Sequence, residues 1–90
     1  MSFIFEVAPS VRVDEDRDGI VILDTRSDWI FRSDATGARI WSMLTAGLSV
    51  NAIADALAQR FRVNRRRARR DAEAFIAELE RNGLVIRKTV

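Results

Sequence analysis

Five arginines lie within six positions in the C-terminal half of the chain: Arg65, Arg66, Arg67, Arg69 and Arg70. Guanidinium groups bind carboxylates and phosphates through paired hydrogen bonds, so this arginine cluster can bind an anionic partner. On a helix, like charges three and four residues apart repel each other, and cations at the N-terminus are unfavourable. A sequence that accepts this cost either places positive charge for a partner or forms a solvated face.

The charge is divided unevenly between the two halves of the chain. Residues 1–45 carry five arginines against eight acids, whereas residues 46–90 carry ten Lys and Arg against five acids. This asymmetry predicts an anionic partner for the C-terminal half. The formal net charge of the whole chain is only +2, which is small for a DNA-binding domain.

The side-chain inventory argues against catalysis. The chain has no His, Cys or Tyr. It therefore lacks the commonest general base, the usual zinc ligands and the most nucleophilic side chain. We expect a protein that is not an enzyme and that uses no cofactor or metal. Without a signal-like N-terminus, a cysteine framework or a membrane-spanning run, the chain is predicted to be cytoplasmic and not membrane-bound.

The segment Trp29-Ile30-Phe31-Arg32 is a second candidate for binding. Residues 19–24 form the clearest strand of the sequence, and a polar turn follows them, so the two segments are predicted to form a hairpin. Alternation places Trp29 and Phe31 on one face and Ile30 and Arg32 on the other. Such an edge can accept an extended peptide as an additional strand. The alternative is that helices cover both faces of a small sheet.

Three helices are predicted after the hairpin. Ser33 or Asp34 can cap the first helix, which ends at Gly47, and Ser49 can cap the second. The second helix is expected over residues 50 to about 61, and the third over about 65 to 82. The aromatic residues expected in the core are Trp41, Phe61 and Phe75.

The two ends of the chain are predicted to be extended. Residues 7–13 lead into a charged turn at 14–19, and residues 84–86 form a short apolar extension after the last helix. Ninety residues form a single domain, 1–90, with its core at about 9–86. The predicted fold class is α+β and winged helix-turn-helix-like, with a three-stranded antiparallel sheet followed by three helices.

The order of these segments resembles a known family. The residues that carry the resemblance are 19–24, 29–31, 35–41, Leu44, 47–50, Ile53, Ala54, Leu57, Phe61, Asp71, Phe75, Ile76, Leu79 and 83–85. The chain is similar to the PqqD-like peptide-recognition elements of ribosomal peptide (RiPP) biosynthesis. It is particularly similar to the small free-standing version found with lasso peptides, often called the B1 protein.

This resemblance implies a function in peptide binding. In such domains the leader region of a precursor peptide adds as a strand to the third strand of the sheet, in a groove against the last helix. Lasso leaders commonly carry a Tyr-x-x-Pro-x-Leu pattern. The domain itself does no chemistry. It delivers the peptide to a leader peptidase, which is a transglutaminase-like cysteine protease, and then to a cyclase.

The residues expected to contact the peptide follow from this arrangement. On the strand they are Trp29, Ile30, Phe31, Arg32 and Ser33, and on the last helix they are Arg66, Arg69, Ala72, Glu73 and Ile76. Small Ala68 and Ala72 leave room for the peptide, while Ile76 supplies an apolar contact. Arg69 and Glu73 share a helix face and can flank it.

Two other readings remain open. The first is a winged-helix DNA-binding domain, in which the arginine-rich last helix contacts phosphates and an arginine reads guanine. Against it, the arginines lie at the start of the helix and the strand-rich half of the chain is acidic, so nucleic acid is not the partner we expect. The second is a purely structural subunit of a larger assembly, which would have a constant protein partner and no affinity for short peptides.

Overall fold

The computed structural model describes residues 3–89 and has an α+β architecture. In chain order the elements are β1 (Phe3–Val7), β2 (Val11–Asp16), β3 (Gly19–Asp24), β4 (Trp29–Asp34), α1 (Ala35–Thr45), α2 (Val50–Phe61), α3 (Arg65–Arg81) and β5 (Val85–Thr89). Strands β2, β3 and β4 form an antiparallel sheet in that order. This confirms the predicted three-stranded sheet and three helices.

Strands β1 and β5 form a second, two-stranded antiparallel sheet that the sequence did not predict. Val7 pairs with Val85 and Phe3 with Thr89, so the first and last described segments lie side by side. The last two residues of the predicted apolar extension at 84–86 are therefore the start of a five-residue strand. The side chains of Phe5 and Val85 are buried, which attaches this sheet to the core.

The N-terminal region differs from the single extended segment predicted over residues 7–13. A turn closes where the Val11 amide donates to the carbonyl of Ala8 at 3.1 Å, and it separates β1 from β2. The charged segment 14–19 was predicted as a turn, but its first three residues continue β2. The turn is tighter than predicted because the Asp16 carboxylate accepts from the amides of Asp18 and Gly19.

The hairpin between β3 and β4 is organised by Asp24, which is buried. Its carboxylate accepts hydrogen bonds from Ser10 Oγ at 2.9 Å, from the Arg26 amide at 3.0 Å and from Ser27 Oγ at 3.1 Å. The bond from Ser10, and next the bond from Arg26, hold the pKa of this carboxyl below its usual value. Asp24 thereby ties the β3–β4 turn to the segment that precedes β2.

The helices begin at polar caps, as predicted for the first two. The side chains of Asp34, Ser49 and Asn64 accept from the amides of Gly37, Ala52 and Arg67, respectively. Such caps pair amides that have no partner within the helix. The largest fully buried side chains are Ile20, Ile22, Leu44, Ile53, Leu79 and Leu84.

The prediction that Phe61 lies in the core is wrong. Its side chain is 45% exposed. Phe61 is the last residue of α2, and the chain turns away at Arg62, which has a left-handed φ of 53°. Phe61 therefore lies at the very end of its helix, where the chain changes direction, whereas Trp41 is buried as predicted. No helix within residues 3–89 is long and apolar enough to cross a membrane.

Candidate functional site

Strand β4 is at one edge of the three-stranded sheet, so within residues 3–89 its second side has no neighbouring strand. The backbone direction of Ser33 shows which groups face that edge. The structure leaves no room for a Cβ atom on Gly19 of β3, because it would collide with the carbonyl oxygen of Ser33. That carbonyl therefore points towards β3. Since successive residues of a strand point their backbone groups to opposite sides, the groups of Ile30 and Arg32 face the free edge.

The hydrogen bonds at the other end of the sheet agree with this assignment. The Thr25 amide donates to the carbonyl of Ser10 at 2.9 Å, which directs the odd-numbered residues of β3 towards β2. The even-numbered residues of β3, including Ile22, consequently face β4 and bond to Phe31, its partner in the register. Phe31 and Ser33 thus use their backbone groups within the sheet, while Ile30 and Arg32 do not.

The helices cover only one face of this sheet. Phe31 faces them and is 7% exposed, whereas Ile30 on the opposite face is 49% exposed. Arg32 lies on the same open face as Ile30 and is exposed too. The alternative that both faces are covered is therefore wrong. The predicted alternation of β4 is confirmed, with Phe31 facing inward and Ile30 and Arg32 facing outward.

Three aromatic rings follow one another beside the free edge, and we call Trp29, Phe31 and Phe75 the aromatic row. The ring centroids of Trp29 and Phe31 are 5.9 Å apart, and those of Phe31 and Phe75 are 5.7 Å apart. Trp29 is 38% exposed and Phe75 of α3 is half-buried. The row therefore runs from the sheet to the last helix and offers apolar surface along the inner side of the edge.

The first turn of α1 packs closely against one end of this row. A Cβ atom on Gly37 would collide with the Ser33 side chain and would come within 2.9 Å of Phe75 Cε1. Strand β4, helix α1 and helix α3 thus meet at Gly37 without space for a larger residue. We define the β4 edge site as the outward backbone groups of Ile30 and Arg32 together with the aromatic row.

The structure buries two of the helix residues that were predicted to contact a peptide. Ala72 is 0% exposed and Ile76 is 2% exposed, and both belong to the core cluster. Ala68 is buried in the same way. The small side chains that were expected to leave room for a ligand instead form part of the buried stripe of α3.

The structure places Arg69 and Glu73 away from the β4 edge site. Arg69 Nε donates to Glu73 Oε1 at 2.7 Å, and its Nη1 donates to Asn51 of α2. Both side chains line a cavity of about 310 Å³ shared with residues of α2, β1 and β5. Around a helix axis Arg69 and Phe75 are about 120° apart, and Arg66 and Phe75 about 180° apart. Of the predicted strand residues, Trp29 and Phe31 thus lie in the aromatic row with Phe75, whereas Arg66, Arg69 and Glu73 lie on other sides of α3.

Phe75 is the residue of the site that the sequence analysis assigned to the core instead. A helical wheel drawn through the buried stripe of α3 gives the missing signal, because it places Phe75 at one margin of the stripe and Arg69 at the other. Phe75 and Ile76 are adjacent apolar residues, so both were assigned to the buried side of α3. On the helix, however, only Ile76 lies within the buried stripe, and Phe75 lies at its margin.

The arginine cluster is largely a solvated face. Arg65 pairs with Asp55, Arg67 with Asp71 at 3.9 Å and Arg69 with Glu73 at 2.7 Å, and all six side chains are more than half exposed. Exposed pairs of this kind contribute little to stability. Within residues 3–89, neither Arg66 nor Arg70 has a carboxylate within 4.0 Å. In the same part of the chain no three acidic side chains come together as a metal site would need.

Comparison with known proteins gives matches over most of the chain. The family model for coenzyme PQQ synthesis protein D (PqqD) matches residues 19–85, from the start of β3 to the start of β5. The solved structure of TbiB1 in complex with the TbiA(beta) leader peptide is 30% identical, has a TM-score of 0.82 and aligns over 89% of this chain and 93% of its own. A lasso peptide synthetase B1 complexed with the leader peptide is 32% identical, has a TM-score of 0.85 and aligns over 91% and 96%. No curated protein matches the sequence.

Proposed function

Because this chain belongs to the PqqD family, we propose that it binds the leader region of a ribosomally made precursor peptide, of the lasso class, as an additional strand at the β4 edge site. The single observation that carries the proposal is the free edge of β4 beside the aromatic row. Two similar structures, both solved as complexes with a leader peptide, support it.

The edge dictates how such a strand is held. Ile30 and Arg32 form the backbone hydrogen bonds to the added strand, because those two residues direct their amides and carbonyls outward. Their side chains then lie on the open face of the sheet. The peptide residues opposite Trp29 and Phe31 point the other way, against the aromatic row. The site therefore favours a leader with apolar side chains at alternate positions.

The proposed contact residues are those of β4 that were predicted, Trp29, Ile30, Phe31, Arg32 and Ser33, joined by Phe75. The buried Ala72 and Ile76 belong to the core and are not in the contact set. Arg66, Arg69 and Glu73 lie on other sides of α3, so we leave them out of the contact set.

In this function the domain performs no chemistry of its own. It presents the bound leader to a separate peptidase, a transglutaminase-like cysteine protease, and then to a cyclase. The chain's lack of His and Cys is consistent with a division of labour in which the nucleophile and base belong to another protein. We also propose that the sheet and helices form a winged helix-turn-helix-like arrangement whose wing strand, β4, receives peptide.

A direct test is a fluorescence-polarisation titration against labelled TbiA(beta) leader, with a labelled DNA duplex in parallel, at 50 and 200 mM salt. We expect saturable binding of the leader that changes little with salt, because backbone and apolar contacts dominate. A DNA-binding domain with six to ten phosphate contacts would lose roughly 10³- to 10⁵-fold in affinity over that range. Salt-sensitive DNA binding without leader binding contradicts the proposal.

A further inference from the structure

The open face of the three-stranded sheet carries two rows of side chains that end at β4. Arg12, Leu23 and Ile30 form one row, and Asp14, Val21 and Arg32 form the other. The helices lie on the opposite face, and Ile30 and Arg32 are exposed. A strand added at the β4 edge would extend each row by one side chain.

Arg32 lacks an acidic partner in the part of the chain that the structure describes. Within residues 3–89, no carboxylate lies within 4.0 Å of its guanidinium. Its neighbour in the row is Val21, and Asp14 is two strands away, about 10 Å across the sheet. Asp34, two residues along β4 on the same face, uses its carboxylate to cap α1 by accepting from the Gly37 amide at 3.0 Å. The position that could place a carboxylate directly beside Arg32 is therefore the one on the added strand. Directly opposed side chains on neighbouring strands have Cβ atoms about 5 Å apart, which is within reach of an ion pair.

The peptide position opposite Ile30, two residues along β4, has apolar surroundings instead of a charged neighbour. Ile30 is flanked within the sheet by Leu23, which is half-buried, so the end of this row is apolar. An apolar side chain opposite Ile30 would cover this exposed surface and remove it from water. A charged residue there would be held against apolar groups instead of against a counter-ion.

We propose that the β4 edge site selects leader segments that place an acidic side chain opposite Arg32 and an apolar side chain opposite Ile30, on the open face of the sheet. This inference rests on the proposed function. It adds sequence specificity through side chains, which backbone hydrogen bonds cannot supply. The peptide residue between these two faces the aromatic row and is apolar. The selected pattern is an acidic residue next to two apolar residues. The order of these three residues in the peptide sequence shows the direction of the added strand. In a peptide antiparallel to β4 the acidic residue comes first, and in a parallel peptide it comes last.

The test is a selection from a displayed library of random 12-residue peptides on the immobilised full chain and on three variants. We expect the wild type to enrich peptides with an acidic residue beside two apolar residues. Arg32→Glu should enrich Lys or Arg at the position of that acidic residue. Arg32→Gln should show no charge preference there. Arg12→Glu is the matched control, because it makes the same charge change on the same face about 10 Å from the edge strand. It should select the same peptides as the wild type.

Titration of one enriched peptide makes the result quantitative. Replacing its acid with Lys should weaken binding to the wild type by roughly three- to tenfold, since an opposed ion pair is lost and like charges meet. Arg32→Glu should restore the binding. If the peptides show no preference at this position, or if Arg12→Glu shifts it as Arg32→Glu does, the inference fails. If Ile30→Pro, which blocks the edge, still binds the same peptides with equal affinity, the proposed function itself fails.

Discussion

The ring of Phe75 on α3 lies edge-on against the ring of Phe31 on β4, with centroids 5.7 Å apart and planes inclined by 70°. Phe31 is almost fully buried, whereas Phe75 is only half-buried, so the pair stands at the boundary between core and surface. It joins the last helix to the edge strand. Through Phe75, and not through its arginines, α3 reaches the β4 edge site.

Replacing Phe75 with Ala should therefore weaken peptide binding while the protein remains folded. We expect affinity for the TbiA(beta) leader to fall at least about tenfold, because the aromatic row loses one of its three rings. The free energy of unfolding should fall by about 1–3 kcal/mol, less than for a fully buried phenylalanine. Polarisation titration and urea denaturation measure the two effects.

The matched control is Phe61→Ala, which removes the same ring from an exposed position on α2. It should leave leader affinity unchanged. Equal losses of affinity in the two variants would mean that Phe75 does not line the binding surface.

A proline at position 30 should block peptide binding while the sheet remains folded. The Ile30 amide faces the free edge, so its removal costs no hydrogen bond to β3 but takes a donor away from an added strand. We expect leader binding to become undetectable and the circular dichroism spectrum to remain that of the wild type.

Val13→Pro is the corresponding change at the opposite edge of the sheet. Val11 donates its amide to Ala8, away from β3, and Val13 shares its orientation along β2. This variant should bind the leader as the wild type does. If Ile30→Pro also binds normally, the peptide does not add to β4.

Aspartate substitutions should separate Ile30 from Ile76. Ile30 is exposed, so Ile30→Asp should fold and should weaken binding of an apolar leader side chain opposite it. Ile76 is buried, so Ile76→Asp places a carboxylate in the core, which costs several kcal/mol and should unfold much of the protein. Urea denaturation followed by circular dichroism distinguishes the two results. A cooperatively folded Ile76→Asp variant that has lost leader binding would return Ile76 to the contact set.

The sequence predicts the elements of this fold better than the way they pack. The hairpin and the caps at Asp34 and Ser49 depend on neighbouring residues, so local patterns reveal them. The pairing of β1 with β5 joins segments about eighty residues apart in the chain, and nothing in either segment specifies the other. Whether Phe75 or Ile76 faces the core depends on how α3 is rotated against the rest of the fold. Apolar periodicity predicts that rotation only to within one residue.

The hairpin that carries β4 should lose stability in acid through Asp24. Hydrogen bonds from Ser10 and Arg26 lower the pKa of this carboxyl in the folded state. A group with a lowered folded-state pKa stabilises the protein fully above its unfolded-state pKa, and this contribution is lost as the pH falls through the folded value. The wild type should therefore lose stability relative to Asp24→Asn as the pH falls below about 4, since the amide has no proton to gain. Thermal midpoints of both proteins between pH 7 and 2.5 measure this difference.

Asp28→Asn is the control in the same turn, where a φ of 57° suits asparagine and the side chain is exposed. Parallel pH profiles for wild type and Asp24→Asn would mean that the charge on Asp24 does not stabilise the hairpin.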